Sequence, residues 1–136
     1  MKYFFDTNII IDLCDNEEAA KNRFKEIASQ NDSEIFVNRL VVLEALRTIH
    51  FNNKKIFREA VEILNGFDSL NIKQEIYDEA TSFSRFCHSK GMKLKGKCEA
   101  IDFLHFITAK HYKLEIVSND KDLEKLEKAY INFINL

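Results

Sequence analysis

Apolar positions along the chain follow two repeat lengths, short unbroken runs that suit buried strands and longer stretches spaced by three and four that suit helices. Residues 2 to 5 form an aromatic run that stops at Asp6-Thr7-Asn8, a strand followed by a turn with helix-capping chemistry. A short helix starts at residues 9 to 13. From residue 16 to about residue 30, Ala19, Ala20, Phe24, Ile27 and Ala28 recur at helical spacing, and Asn31-Asp32-Ser33 is a turn cluster. Ile35-Phe36-Val37 predicts a second strand. Leu40, Leu43, Leu46 and Ile49 then predict a helix that carries Glu44.

A further amphipathic helix runs from Ile56 to Leu64 and stops near Asn65-Gly66, a common helix terminus. Residues 68 to 72 form a weak strand candidate, and residues 74 to 89 a long helix with Ile76, Ala80, Phe83 and Phe86 on its apolar face. A basic loop follows, with Lys90, Lys93, Lys95 and Lys97 around Gly91 and Gly96. Beyond it the pattern predicts a helix over 98 to 112, a strand over 114 to 117, a helix over 121 to 129 and a closing apolar strand over 130 to 134.

Strands that alternate with helices argue for parallel pairing, because parallel neighbours need crossover connections. The expectation is an α/β fold of three layers, α/β/α, around a mainly parallel sheet of four to five strands. With 136 residues and 46% hydrophobic content, residues 1–136 read as one domain, without repeat or linker. No Pro and only three Gly leave no glycine-rich phosphate loop, which argues against a nucleotide-binding motif.

Charge narrows the function classes. A net charge of −2 excludes a protein that coats nucleic acid through bulk positive charge, and a nucleic-acid enzyme then requires local basic residues. Cys14, Cys87 and Cys98 are odd in number, widely spaced and without zinc-site partners, so they read as reduced thiols. Asp6 comes too early for a signal peptide and no stretch reaches membrane-spanning length, so a cytoplasmic location and no membrane contact are expected.

The chemistry lies in the carboxylates. In open α/β sheets functional groups collect beyond the carboxyl ends of the strands. Asp6 closes the first strand, and Ser118-Asn119-Asp120 follows the strand before it directly. Glu44 and Asp102 sit within helices between apolar neighbours. Acids that face inward repel one another unless cations offset their charge, and hard oxygen donors suit Mg²⁺ or Mn²⁺. Asp120 and Asp122 compete for the fourth position. Asp120 is preferred as nearer the strand, since Asp122 can begin the next helix. Glu99 shares a helix face with Asp102, as an auxiliary ligand or a solvated residue of the first turn. Asp12 and Asp15 are expected to be solvated. Thr7, Asn8 and Ser118 suit hydrogen bonds to carboxylates as well as capping. The Lys90 to Lys97 loop reads equally as a nucleic-acid phosphate contact or a solvated loop. None of His50, His88, His105 and His111 fits a zinc or nucleophile pattern.

These segments resemble the PIN domain, and in particular the VapC-type toxins of bacterial toxin–antitoxin pairs. The matching strings are Phe4-Phe5-Asp6-Thr7-Asn8-Ile9-Ile10-Ile11-Asp12, Glu44 within Val41 to Leu46, Asp102 within Ala100 to Ala109, and Ile116-Val117-Ser118-Asn119-Asp120. Phe103-Leu104-His105 is bulkier than the family's pattern. The resemblance implies an endoribonuclease that hydrolyses RNA with Mg²⁺ or Mn²⁺ held by Asp6, Glu44, Asp102 and Asp120. It also implies a homodimer and a cognate antitoxin that blocks the groove. A phosphatase would need a second acid at position 8, where Asn8 stands, and a receiver module would not place Glu44 and Asp102 in helices. A housekeeping or degenerate, noncatalytic PIN module is the alternative.

Overall fold

A computed structural model describes residues 1–95 and 98–136. Its elements fall into two compact units, one of residues 1–71 and 114–119, the other of residues 72–113 and 120–136.

The first unit holds the sheet. Strands β1 (Lys2–Phe5), β2 (Glu34–Asn38), β3 (Asp68–Leu70) and β4 (Glu115–Val117) are ordered β3-β2-β1-β4, and every pairing is parallel. Phe4 of β1 lies opposite Phe36 on one side and Ile116 on the other. A strand paired on both sides in a parallel sheet is apolar throughout, and Tyr3, Phe4 and Phe5 are all buried. Helices α1 (Thr7–Cys14), α2 (Glu18–Ala28), α3 (Arg39–Leu46) and α4 (Lys54–Asn65) complete this unit. Ile9 and Ile10 of α1 are buried, as are Val41 and Ala45 of α3, and the two helices pack together. Phe5, Phe24 and Phe67 form a triangle of rings with centroids 5.8–6.3 Å apart. Side chains of this size contribute about 1.5–3 kcal/mol each on full burial.

The second unit is helical: α5 (Gln74–Ser89), α6 (Glu99–His111) and α7 (Leu123–Ile134). Phe83 of α5 is fully buried at its centre, with ring centroids of Phe103 at 5.5 Å, Phe106 at 5.6 Å, Tyr130 at 5.5 Å and Phe133 at 5.2 Å. Helix α6 is buried all round from Phe103 to Ala109, including His105 at 3% exposure, so that histidine is a core residue.

The strand expected over residues 130 to 134 is absent, because those residues continue α7. The β-type residues Tyr130, Ile131, Phe133 and Ile134 suggest a strand locally. Leu123, Leu126, Tyr130 and Phe133, however, repeat at helical spacing without a turn signal between them. The ring contacts of Tyr130 and Phe133, three residues apart, need both on one helix face. The remaining elements agree with the sequence within a few residues at their ends.

Candidate functional site

The strand order makes β1 a switch point: the chain passes from β1 to β2 on one side and returns as β4 on the other. Side chains beyond the carboxyl ends of β1 and β4 face the crevice where α/β sheets bind ligands. Asp6 follows β1 and Ser118 follows β4.

Asp6 is the N-cap of α1. Its Oδ1 accepts the Thr7 backbone N–H at 2.8 Å, where the helix N-terminus favours an anion. Its Oδ2 accepts the Ser118 hydroxyl at 2.9 Å. The Asn8 amide donates to Ser118 Oγ at 3.2 Å, which aims the serine's one proton at Asp6. Asn8 Oδ1 accepts the Asn119 backbone N–H at 3.2 Å, and the Asn119 amide donates to Asp12 Oδ2 at 3.0 Å. Asn8 and Asp12 are one turn apart on α1, so this face of the helix clamps the loop after β4. Asp12, expected to be solvated, is partly exposed and also accepts this bond. Arg23 of α2 adds a bond to the Ser118 carbonyl at 3.3 Å.

Glu44, half-buried on α3, joins the same network through Thr7, whose hydroxyl donates to Glu44 Oε1 at 2.7 Å. Helix α3 is held in place by Asn38, fully buried at the end of β2, whose Oδ1 accepts the Val41 N–H at 2.8 Å. Asn38 is a residue that sequence reasoning missed, although an Asn that ends a strand just before a helical pattern is an N-cap signal. The first unit thus links two of the four expected acids, Asp6 and Glu44, through Thr7.

Asp102, Asp120 and Asp122 belong to the second unit. Asp102 stands half-buried in the first turn of α6, its N–H donating to the Cys98 carbonyl at 3.1 Å. Asp120 is half-buried, and its Oδ1 accepts the Asp122 N–H at 2.9 Å. Asp122 is 1% exposed; its Oδ2 accepts the Lys95 N–H at 2.7 Å and Lys125 Nζ lies 3.7 Å from Oδ1. It begins α7 as its N-cap residue, as expected, although its side chain bonds to the Lys95 N–H and makes no capping bond within the helix. Glu99 is a partly exposed residue of the first turn of α6, as expected, and it also pairs with His88 and accepts the Leu94 N–H at 3.1 Å. The His88 bond is the main cause that holds its carboxyl below the ordinary range. Of the basic loop, Gly96 and Lys97 lie outside the described residues.

The oxygens gathered around Asp6 are carboxylate, hydroxyl and amide, the kind of donor a hard divalent cation takes. Each Asp6 oxygen accepts one bond and keeps a lone pair for a second. The donor chemistry fits Mg²⁺ or Mn²⁺, and two of the four expected acids, Asp6 and Glu44, are linked here through Thr7. Among the described residues no three His, Cys, Asp or Glu side chains are grouped to hold a metal. Thiol chemistry fits poorly: burial pushes Cys87 up to about 11, with the Glu99 charge adding, and burial also raises Cys14.

The chain belongs to the PIN domain family, whose model matches residues 3–129. Among solved structures it is similar to a chain of VapBC2 from Rickettsia felis, a complex bound to a DNA fragment from its promoter. The identity is 15%, 92% of each chain is covered, and the TM-score is 0.73. It is also similar to VapC20 of Mycobacterium tuberculosis, a toxin that cleaves the sarcin-ricin loop, at 12% identity with 90% of this chain and 93% of that one covered and a TM-score of 0.67. Curated protein sequences give no match. No helix among the described residues is long and apolar enough to cross a membrane.

Proposed function

We propose that this chain is an Mg²⁺- or Mn²⁺-dependent endoribonuclease, the cytoplasmic toxin of a toxin–antitoxin pair, with Asp6, Glu44, Asp102 and Asp120 as the metal-holding acids. The observation that carries the reading is the Ser118–Asp6 bond at the β1/β4 switch point, in a chain whose family match spans all four acids. Held by these acids, a divalent ion would supply activation of water for attack and charge stabilisation at the departing oxygen, so no covalent enzyme intermediate would be required.

The protein's own residues supply orientation. Ser118 and the Thr7 N–H fix the Asp6 carboxylate in one plane, while the Thr7 hydroxyl fixes Glu44. Asn8 holds the loop that carries Ser118 and Asn119. The similarity to a VapBC complex supports a cognate antitoxin, and the family resemblance supports a homodimer.

The test is cleavage of single-stranded and structured RNA with Mg²⁺, with Mn²⁺ and with EDTA, for the wild type and Asp6→Asn. Cleavage that needs the metal and is lost in Asp6→Asn, with an unchanged circular dichroism spectrum, is expected. Cleavage that survives both EDTA and the substitution would refute the assignment, and no cleavage under any condition would favour a noncatalytic PIN module.

A further inference from the structure

The turn between α3 and α4 carries a second feature, outside the carboxylate network. Residues 47 to 58 contain Arg47, Lys54, Lys55, Arg58 and His50 but no Asp or Glu, in a chain whose net charge is −2. The segment lines a groove of about 810 Å³, with Arg47, Lys54 and Arg58 beside Leu46, Ile49 and Phe57. Phe51 also lines it and is 90% exposed.

This exposure is built into the turn. The Thr48 hydroxyl donates to the Ala45 carbonyl at 2.7 Å, the Asn52 N–H donates to His50 Nδ1 at 3.2 Å, and Asn53 caps α4 through the Ile56 N–H at 3.3 Å. Phe51 therefore projects from a braced loop. Lys54 and Arg58 lie one turn apart on α4 and present their charges on one face. Arg47, the C-cap residue of α3, follows Glu44 by three residues, a rise of about 4.5 Å, so the groove begins one turn beyond an acid of the candidate site.

We propose that this groove is a docking surface for single-stranded RNA, with a base stacked on Phe51 and backbone phosphates held by Arg47, Lys54 and Arg58. A cationic track with an exposed aromatic ring binds single strands with little sequence preference. The absence of acids from the segment and its continuity with Glu44 favour RNA over a protein partner. The proposal deepens the ribonuclease reading and rests on it for the identity of the ligand.

The experiment is fluorescence anisotropy of a labelled oligouridine bound to the full chain, in EDTA, for the wild type, Phe51→Ala and the double variant Arg47→Glu/Arg58→Glu. Phe51→Ala should weaken binding at least about 5-fold, the value of one lost stack. The double variant should bind more weakly and with a shallower salt dependence, by roughly 0.7 in log–log slope for each phosphate no longer neutralised. Both changes are at exposed positions, and circular dichroism should show the fold kept. Absent binding, or binding unchanged in both variants, would overturn the proposal. So would intact RNA binding with a loss of self-association or of affinity for an acidic amphipathic peptide, which would make the groove a protein contact. The readout is independent of hydrolysis: binding that depends on the groove without cleavage would sink the hydrolase reading alone, and cleavage indifferent to both variants would sink the groove alone.

Discussion

Ser118 donates its hydroxyl to Asp6 Oδ2 at 2.9 Å, joining two residues 112 apart in the chain that end neighbouring parallel strands. The bond exists because β4 returns beside β1, and it gives the carboxylate a fixed orientation. Ser118→Ala removes this donor together with the acceptor of the Asn8 amide. Metal affinity, read by titrating Mn²⁺ into the cleavage reaction, should fall by about 10- to 100-fold, the usual effect of losing a partner that orients a ligand. An unchanged Mn²⁺ requirement would show that Asp6 needs no such support.

The two acids of the 120–122 segment should separate cleanly. Asp122 is buried and tied to the Lys95 N–H and to Lys125, so Asp122→Ala should cost about 1–3 kcal/mol by leaving that N–H unpaired, measured by urea denaturation. Asp120→Asn keeps the Oδ1 that accepts the Asp122 N–H, so its stability should hold while metal-dependent cleavage is lost. Asp122→Asn that loses more activity than Asp120→Asn, on equally folded samples, would reverse the assignment.

Glu99 supplies a pH test. Its carboxyl is held below the ordinary 4.5, first by the His88 hydrogen bond and then by the Leu94 N–H, against a smaller opposing effect of burial. A carboxylate lowered in the folded state adds stability that is present above the unfolded value and lost as pH falls through the folded one. Thermal melts of wild type and Glu99→Gln should therefore differ above pH 4.5 and converge as pH falls below it. A gap that stays constant on acidification would mean that the pair does not anchor the loop between α5 and α6.

Much of this was legible in the sequence, for identifiable reasons. An aromatic run that stops at a carboxylate, and Ser118-Asn119 after a short apolar strand, mark strand ends that a parallel sheet brings to one edge. What escaped was set by tertiary packing. Residues 130 to 134 carry strand-type residues, and the rings of Phe83, Phe86 and Phe106 select the helix that puts Tyr130 and Phe133 on one side. The bonds of Asp12 to Asn119 and of Glu99 to His88 cross loops or whole elements, so no local pattern announces them. The run from Arg47 to Arg58 is visible as charge, but the outward projection of Phe51 is not.

The last prediction concerns biology and rests on the toxin reading. An acidic pocket open to a cation can also be closed by one, so a neutralising antitoxin should present an Arg or Lys beside Asp6, with a bidentate guanidinium the better fit to a carboxylate. Such inhibition would be competitive with metal, weakening as Mg²⁺ is raised. Induced without an antitoxin in a bacterial host, the wild type should reduce colony-forming cells and Asp6→Asn should not. The control that matters is activity, because a wild type that is well expressed and cleaves RNA in vitro yet leaves viability untouched would reject the toxin role while keeping the nuclease. A drop in viability shared equally by wild type and Asp6→Asn would instead separate toxicity from the carboxylate site, and the antitoxin's cation would then have no reason to lie beside Asp6.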